Sequence, residues 1–332
     1  MTDAKPLPDS AQSVVPCADL DAAIALYTQQ RGFQLDMIMP ADAPRVALVS
    51  RDGITLRLEV STGCDAPAVV QPNSREFVLR RAGDHDAWPE GRAGMQYRDL
   101  IPGRLGGRMI ASHIRIPDGG PVPDYVHYHK VGFQMIYCRR GWVRVVYEDQ
   151  GPPFVMHAGD CVLQPPTIRH RVLESSEGLE VIEIGCPAEH ETWRDHDIAL
   201  PTPHLRPQRS FGGQRFVHHI AAEATWENAE DARFEFRDTG IADATDHLAS
   251  VRVLRAMPSA NARPGNSSQP DRDDGVVFLF VLEGQLQLHG DALGTHAMQA
   301  DDACAIPAGA DYVLDPATPC EVLEVVMNFA SS

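Results

Sequence analysis

Apolar and polar positions along this 332-residue chain change their rhythm twice. Between Ser13 and Val60, short apolar runs flank one stretch with helical spacing. Ser13-Val14-Val15-Pro16-Cys17 predicts a strand. Asp19 then supplies a helix N-cap before Leu20, Ala23, Ile24 and Tyr27, and Gly32 ends the helix. Three further strands are predicted, Phe33 to Met39, Arg45 to Ser50 and Thr55 to Val60, the last two joined by a turn at Asp52-Gly53. Residues 61–95, with Pro67, Pro72, Pro89 and several glycines, read as a connecting segment. From Tyr97 onward, period-two alternation broken by Gly and Pro predicts a strand-rich region.

That region repeats itself. Tyr97-Arg98-Asp99 is echoed by Phe236-Arg237-Asp238, and Ala111 to Arg115 by Ala249 to Val253. Ala158-Gly159-Asp160-Cys161 through Pro165 is echoed by Ala300-Asp301-Asp302-Ala303 through Pro307. Two copies of one β-domain follow, joined by a segment rich in Pro, His and Arg that reads as a linker with a short helix. The implied organisation is a βαβββ module at 1–75, a linker at 76–96, a first β-domain at 97–190, a linker at 191–225 and a second β-domain at 226–332. His190, His196 and the pair His218-His219 lie in linker-like surroundings and are expected to face solvent. Residues 259–274 read as a mobile loop.

Composition narrows the partners. With 29 basic and 46 acidic side chains the formal charge is −17, which disfavours nucleic acid and anionic membrane surfaces. The start lacks a signal-peptide core and no apolar run is long enough to span a bilayer. Seven scattered cysteines without a CxxC pair suggest reduced thiols and a cytoplasmic protein.

The chemistry concentrates in the first copy. Gly120 is followed by His127-Tyr128-His129, then Gln134 and Gly141; Gly159-Asp160, Pro165, Thr167 and His170 come later. Two histidines one residue apart on a strand share a face. Gln134 needs a bend to rejoin that face, and Gly132 is placed to supply one. His170 follows a Pro-Pro turn that opens another strand. Three imidazoles inside an apolar barrel suit a divalent transition metal and leave positions open for water, substrate or dioxygen. A neutral Gln134 leaves the metal's charge less compensated than a carboxylate would, favouring an anionic chelating substrate. Gln134 is either a fourth ligand or a hydrogen-bond partner of what the metal binds. Arg169 and Arg115 are candidate anchors for a substrate carboxylate. His113 lines either the barrel or an interface. In the second copy Pro270, Arg272, Val277 and Tyr312 fall at the ligand positions, so no metal is expected there.

Two resemblances follow from these residues. The βαβββ order of 13–60 resembles one module of the vicinal-oxygen-chelate (glyoxalase/bleomycin-resistance) superfamily. It lacks that family's first-strand His, although Glu59 falls near a carboxylate-ligand position. The 120–141 and 159–170 segments resemble the two cupin motifs, G-x5-HxH-x3-4-E-x6-G and G-x5-PxG-x2-H. They depart by one extra residue before His127, by Gln134 in place of Glu and by Thr167 in place of Gly. The resemblance implies a mainly β protein: two cupin (jelly-roll) barrels preceded by a small α+β module. Among bicupins the His157–His170 stretch is similar to the gentisate-dioxygenase type, in which the first cupin carries three His. That similarity implies His127, His129 and His170 as iron ligands and a non-haem Fe(II) dioxygenase acting on a small anionic aromatic hydroxy acid or diketone. A Zn, Mn or Ni isomerase, lyase or hydrolase and a non-catalytic binding protein remain alternatives, and a homodimer is expected.

Overall fold

The structure, a computed structural model, describes residues 13–61, 76–84, 88–91, 94–257 and 274–329. The first module has the expected βαβββ order: strand Ser13–Cys17, helix Leu20–Ala25 widening into one π turn at Leu26–Gln30, and strands Gln34–Met39, Val46–Arg51 and Ile54–Val60. The Asp19 carboxylate accepts the Ala22 N–H at 3.0 Å and so starts the helix. The two-residue hairpin needs positive φ at both centres, and Asp52 (49°) and Gly53 (80°) supply it. Leu20, Ile38, Ala47, Val49 and Leu58 bury the space between helix and sheet.

This small sheet does not end at its own border. Strand Gln34–Met39 pairs with Thr192–Arg194, which pairs in turn with His127–His129. The segment 191–225, expected to be connecting chain, thus supplies the strand that joins the first module to the His-bearing sheet. It also carries strands Ser210–Phe211, Gln214–Arg215 and Val217–His219.

Beyond residue 96 two barrels of the same design follow. In the first, one sheet orders Val217–His219, Cys161–Leu163, Phe133–Arg140, Leu179–Cys186, Ile110–Ile116 and Gln96–Asp99. The facing sheet carries His127–His129, His170–Ser175, Trp142–Tyr147 and Phe154–His157. In the second barrel the matching order is Val78–Arg80, Ala303–Pro307, Val276–Glu283, Glu321–Met327, Ala249–Ala256 and Phe234–Asp238, with Val313–Pro316, Gln285–Gly290 and Gly294–Gln299 opposite. Even the irregularities match, for the bulge at Cys138/Arg140 recurs at Val281/Glu283.

One edge strand of each of these two sheets comes from the stretch preceding the other barrel, and Glu227–Asn228 adds a seventh strand at the far end of the second. Val217–His219 edges the first barrel, and Val78–Arg80, within the segment read as a linker at 76–96, edges the second. Equivalent aspartates pin both strands. Asp160 accepts the N–H groups of His157 (2.7 Å) and Ala221 (2.8 Å), and Asp302 those of Gln299 (3.0 Å) and Ala82 (2.7 Å). The Gly-Asp and Asp-Asp turns of the repeat are therefore clasps for exchanged strands.

Strand parity divides the side chains. Phe133, Met135, Tyr137, Ile182 and Ile184 point to the interface between barrels, against Val276, Phe278, Phe280, Leu323 and Val325. The alternate residues point into the barrels. Pairing Tyr97 with Ile114 and Phe236 with Leu254 aligns Ala111 with Val251 rather than with Ala249, so the repeat at this strand is two residues out of the register expected. A slip of two keeps every side chain on its face, which is why alternation alone could not detect it. The 259–273 stretch and the equivalents Pro270 and Arg272 lie outside the described residues. Among the described residues no helix is long and apolar enough to cross a membrane.

Candidate metal centre

The short strand His127–His129 presents both imidazoles to the first barrel while Tyr128 faces away. Antiparallel pairing sets His170 directly opposite His127. One ligand atom from each of His127, His129 and His170 falls within 4.8 Å of the others, and all three residues are buried. Their rings are 4.2 to 5.3 Å apart between centroids.

The other ring nitrogens decide which atoms converge. His127 Nδ1 lies 2.8 Å from the Tyr125 carbonyl oxygen, and His170 Nδ1 lies 3.0 Å from that of Ile168. A carbonyl can only accept, so these Nδ1 atoms carry the protons and Nε2 keeps its lone pair. His129 Nδ1 sits 3.0 Å from the Thr192 hydroxyl, which can take the same proton. Three imidazoles held this way are the kind of donor set that suits a divalent metal.

Gln134 reaches the same cavity from the opposite sheet. The bend expected at Gly132 is larger than a bulge: over 130–132 the chain leaves the His127–His129 sheet and enters the one containing Phe133–Arg140. Gln134 is 1% exposed, its Nε2 donates to Glu183 Oε1 at 2.5 Å, and its Oε1 has no hydrogen-bond partner. A buried carbonyl left so is costly, by about 1–3 kcal/mol, unless a cation or donor arrives. The residues present therefore fit a metal.

Residues 112–185 match the family model of the cupin domain. The barrel that holds the three imidazoles has the cupin fold. No match was found among curated proteins. Among solved structures the chain is similar to Ylba from E. coli (12% identity, TM-score 0.54, covering 78% of this chain and 94% of that one). It is also similar to the Lactobacillus farciminis oxalate decarboxylase formate complex (14%, 0.53, 76% and 87%) and to a Trp-to-Tyr variant of Bacillus subtilis oxalate decarboxylase (12%, 0.51, 75% and 77%). At such identities the likeness is one of fold.

The cupin cavity is small, offering about 90 Å³ to the centre of a water-sized molecule. That is room for several waters, and below the usual size of drug-binding pockets. Its walls are mostly apolar, with Ile114, Ile136, Val145, Val172 and Val181 among them; the polar lining is Gln134, Gln164, Tyr97, Tyr147, Glu183 and the three histidines. Tyr147 donates to Gln164 Oε1 at 2.5 Å, and burial pushes its phenol well above the ordinary range, so it stays a neutral donor.

The other sequence candidates lie elsewhere. Arg169 does not line the cavity. It lies immediately before His170's strand, pairs with Asp195 at 3.0 Å and stacks on Tyr128 at 4.6 Å. Arg115 and His113 share the parity that faces away from the cupin interior. Arg115 donates to Gln96 at 2.6 Å and lies over Trp88. His113 bonds Glu180 at 3.0 Å and meets Phe280 of the second barrel edge-on. That bond, foremost, holds the Glu180 carboxyl below its ordinary value.

His190 is buried rather than exposed, its ring 5.4 Å from that of His129, because the strand Thr192–Arg194 draws it in. His218 and His219 are likewise half-buried on the exchanged strand, and burial lowers their pKa. The six described cysteines are unpaired. Burial pushes Cys138 up to about 12 and Cys320 to about 11, and Cys161, Cys186 and Cys304 upward too, so none is a nucleophile near neutrality.

Three contributors had no signal in the motifs: Glu183, Thr192 and Ala41. Ala41, between strands Gln34–Met39 and Val46–Arg51, brings the first module to the cavity wall. Its neighbour Asp42 is ion-paired to Arg104. Glu59, by contrast, pairs with Arg57 at 3.0 Å.

Proposed function

We propose that this protein is a mononuclear metal-dependent oxygenase of small anionic chelating substrates. His127, His129 and His170 would hold the metal through Nε2, with Gln134 Oε1 as fourth donor. A divalent ion there would supply Lewis-acid activation of a bidentate substrate and, as Fe(II), the electrons that dioxygen chemistry requires. The observation that carries the reading is the donor set: three imidazoles and one amide, all neutral, in a buried apolar cavity. Such a set leaves the metal's positive charge for the substrate to balance.

The protein's own residues shape which substrate that is. No Lys or Arg lines the cavity, so nothing there receives a carboxylate remote from the metal. The substrate's negative charge must reside in the chelating oxygens themselves, as in an enolised diketone or a compact hydroxy-acid anion. Its body must be apolar enough for the Ile and Val walls. Those walls also keep bulk water from the reacting atoms, and Tyr147 can orient a polar edge through Gln164.

An oxygen-independent lyase is the second reading, favoured by the shared architecture with oxalate decarboxylases. The two separate in one experiment: apo-protein loaded anaerobically with Fe(II), then given dioxygen with diketones or hydroxybenzoates. Stoichiometric oxygen uptake supports the oxygenase. Turnover without oxygen, retained with Mn(II) or Zn(II), would replace it with the lyase.

A further inference from the structure

Gln134 and Glu183 form a dyad whose parts only make sense together. They stand on adjacent antiparallel strands, Gln134 opposite Gly185 and Ile136 opposite Glu183, and both face the cavity. The amide donates Nε2–H to Glu183 Oε1 at 2.5 Å. A carboxylate has no proton to give, so it fixes which end of the amide meets it. The carbonyl oxygen is thereby turned from Glu183, and it is the atom left buried without a partner. A hydrogen bond to a carboxylate also polarises the amide and makes that oxygen a better donor toward a cation. Glu183 itself does not join the group of ligand atoms formed by the three histidines.

The second barrel supplies the contrast. Strand registers place Glu324 where Glu183 stands, Val277 where Gln134 stands and Arg252 where Ser112 stands. There the glutamate is 2% exposed and takes the Arg252 guanidinium at 2.5 Å. In the metal barrel Ser112 replaces that arginine, and the carboxylate meets the Gln134 amide instead.

We propose that Glu183 is the positioning residue of the metal centre. It locks the Gln134 amide with its oxygen toward the cavity. It also polarises that amide through their shared hydrogen bond while staying outside the donor set, which remains neutral. This rests on the three-imidazole reading of the site.

The test is Co(II) titration of apo-protein, followed by the d–d absorption band and by competition with a chelator. Glu183→Gln, an isosteric change, should weaken Co(II) binding about 10- to 100-fold with unchanged circular dichroism. The swap Gln134→Glu/Glu183→Gln rebuilds the amide–carboxylate bond with the carboxylate on the metal side. It should restore affinity to the unsubstituted level or above and shift the band. Co(II) affinity in Glu183→Gln equal to that of the unsubstituted protein, or a swap that binds no better than Glu183→Gln alone, overturns the proposal. Failure of the underlying reading looks different: His170→Ala would then bind Co(II) as well as the unsubstituted protein does, whatever the Glu183 variants show.

Discussion

At matching places in the two barrels, strand Phe133–Arg140 turns Gln134 and Ile136 inward, and strand Val276–Glu283 turns Val277 and Leu279 inward. His170 has Tyr312 as its counterpart. Tyr312 is packed among Val277, Leu279, Leu288, Ile306 and Leu314. The frames are alike to the level of a shared bulge, yet one opens onto a cavity lined with imidazoles and the other sets Tyr312 in an apolar cluster. The second barrel sets its buried glutamate against an arginine. The hollow one keeps its polar groups aimed at a common point, at a cost in packing. A cluster of imidazoles and an apolar cluster are thus two linings of one scaffold.

The largest test of that contrast is His170→Ala. Metal binding should fall more than about 100-fold, beyond what loss of an outer hydrogen bond costs. Circular dichroism should hold, since the second barrel keeps its strands with Tyr312 at the equivalent position; metal content by mass spectrometry reads the outcome.

Arg252→Ser makes the second barrel resemble the first at one position and removes the guanidinium that the buried Glu324 accepts from. Breaking a pair with one fully buried partner should cost about 3 kcal/mol, read as a lowered midpoint in urea unfolding, with metal affinity unchanged.

Ala41→Trp tests whether the first module shapes the mouth of the cavity. We expect kcat/KM to fall about tenfold, which is about 1.4 kcal/mol of barrier, at full metal content.

The smallest effect concerns one turn the barrels share. Thr167 adopts φ +64°, whereas its counterpart Gly309 adopts φ +78°. A β-branched residue is strained there and glycine is not. Thr167→Gly should stabilise the protein by about 1 kcal/mol, visible as a higher melting temperature.

Much of this was legible in the chain. Alternation, the two Gly-Asp-type turns and the His127/His129/His170 spacing carry the strands and the ligand cluster, because a ligand pair on one strand must share a face. What stayed hidden is non-local. Glu183 reads as one more polar residue on a half-buried strand, and only its partner across the sheet gives it a role. Thr192 and Ala41 come from segments that looked like connections or a separate module. Arg169 and Arg115 looked like anchors by proximity in sequence, but strand parity and the ion pair with Asp195 turn them outward.

The exchanged edge strands bear on how this chain comes to be folded. Cys161–Leu163 waits for its edge until residue 219, about two thirds of the way along the chain, and Val78–Arg80 waits for a partner at 303–305. During synthesis both segments expose unpaired backbone that invites association with other chains. Contacts across such sequence separations also slow folding. The two halves must therefore mature as a unit, and cutting the gene between them would yield two fragments that each lack a border.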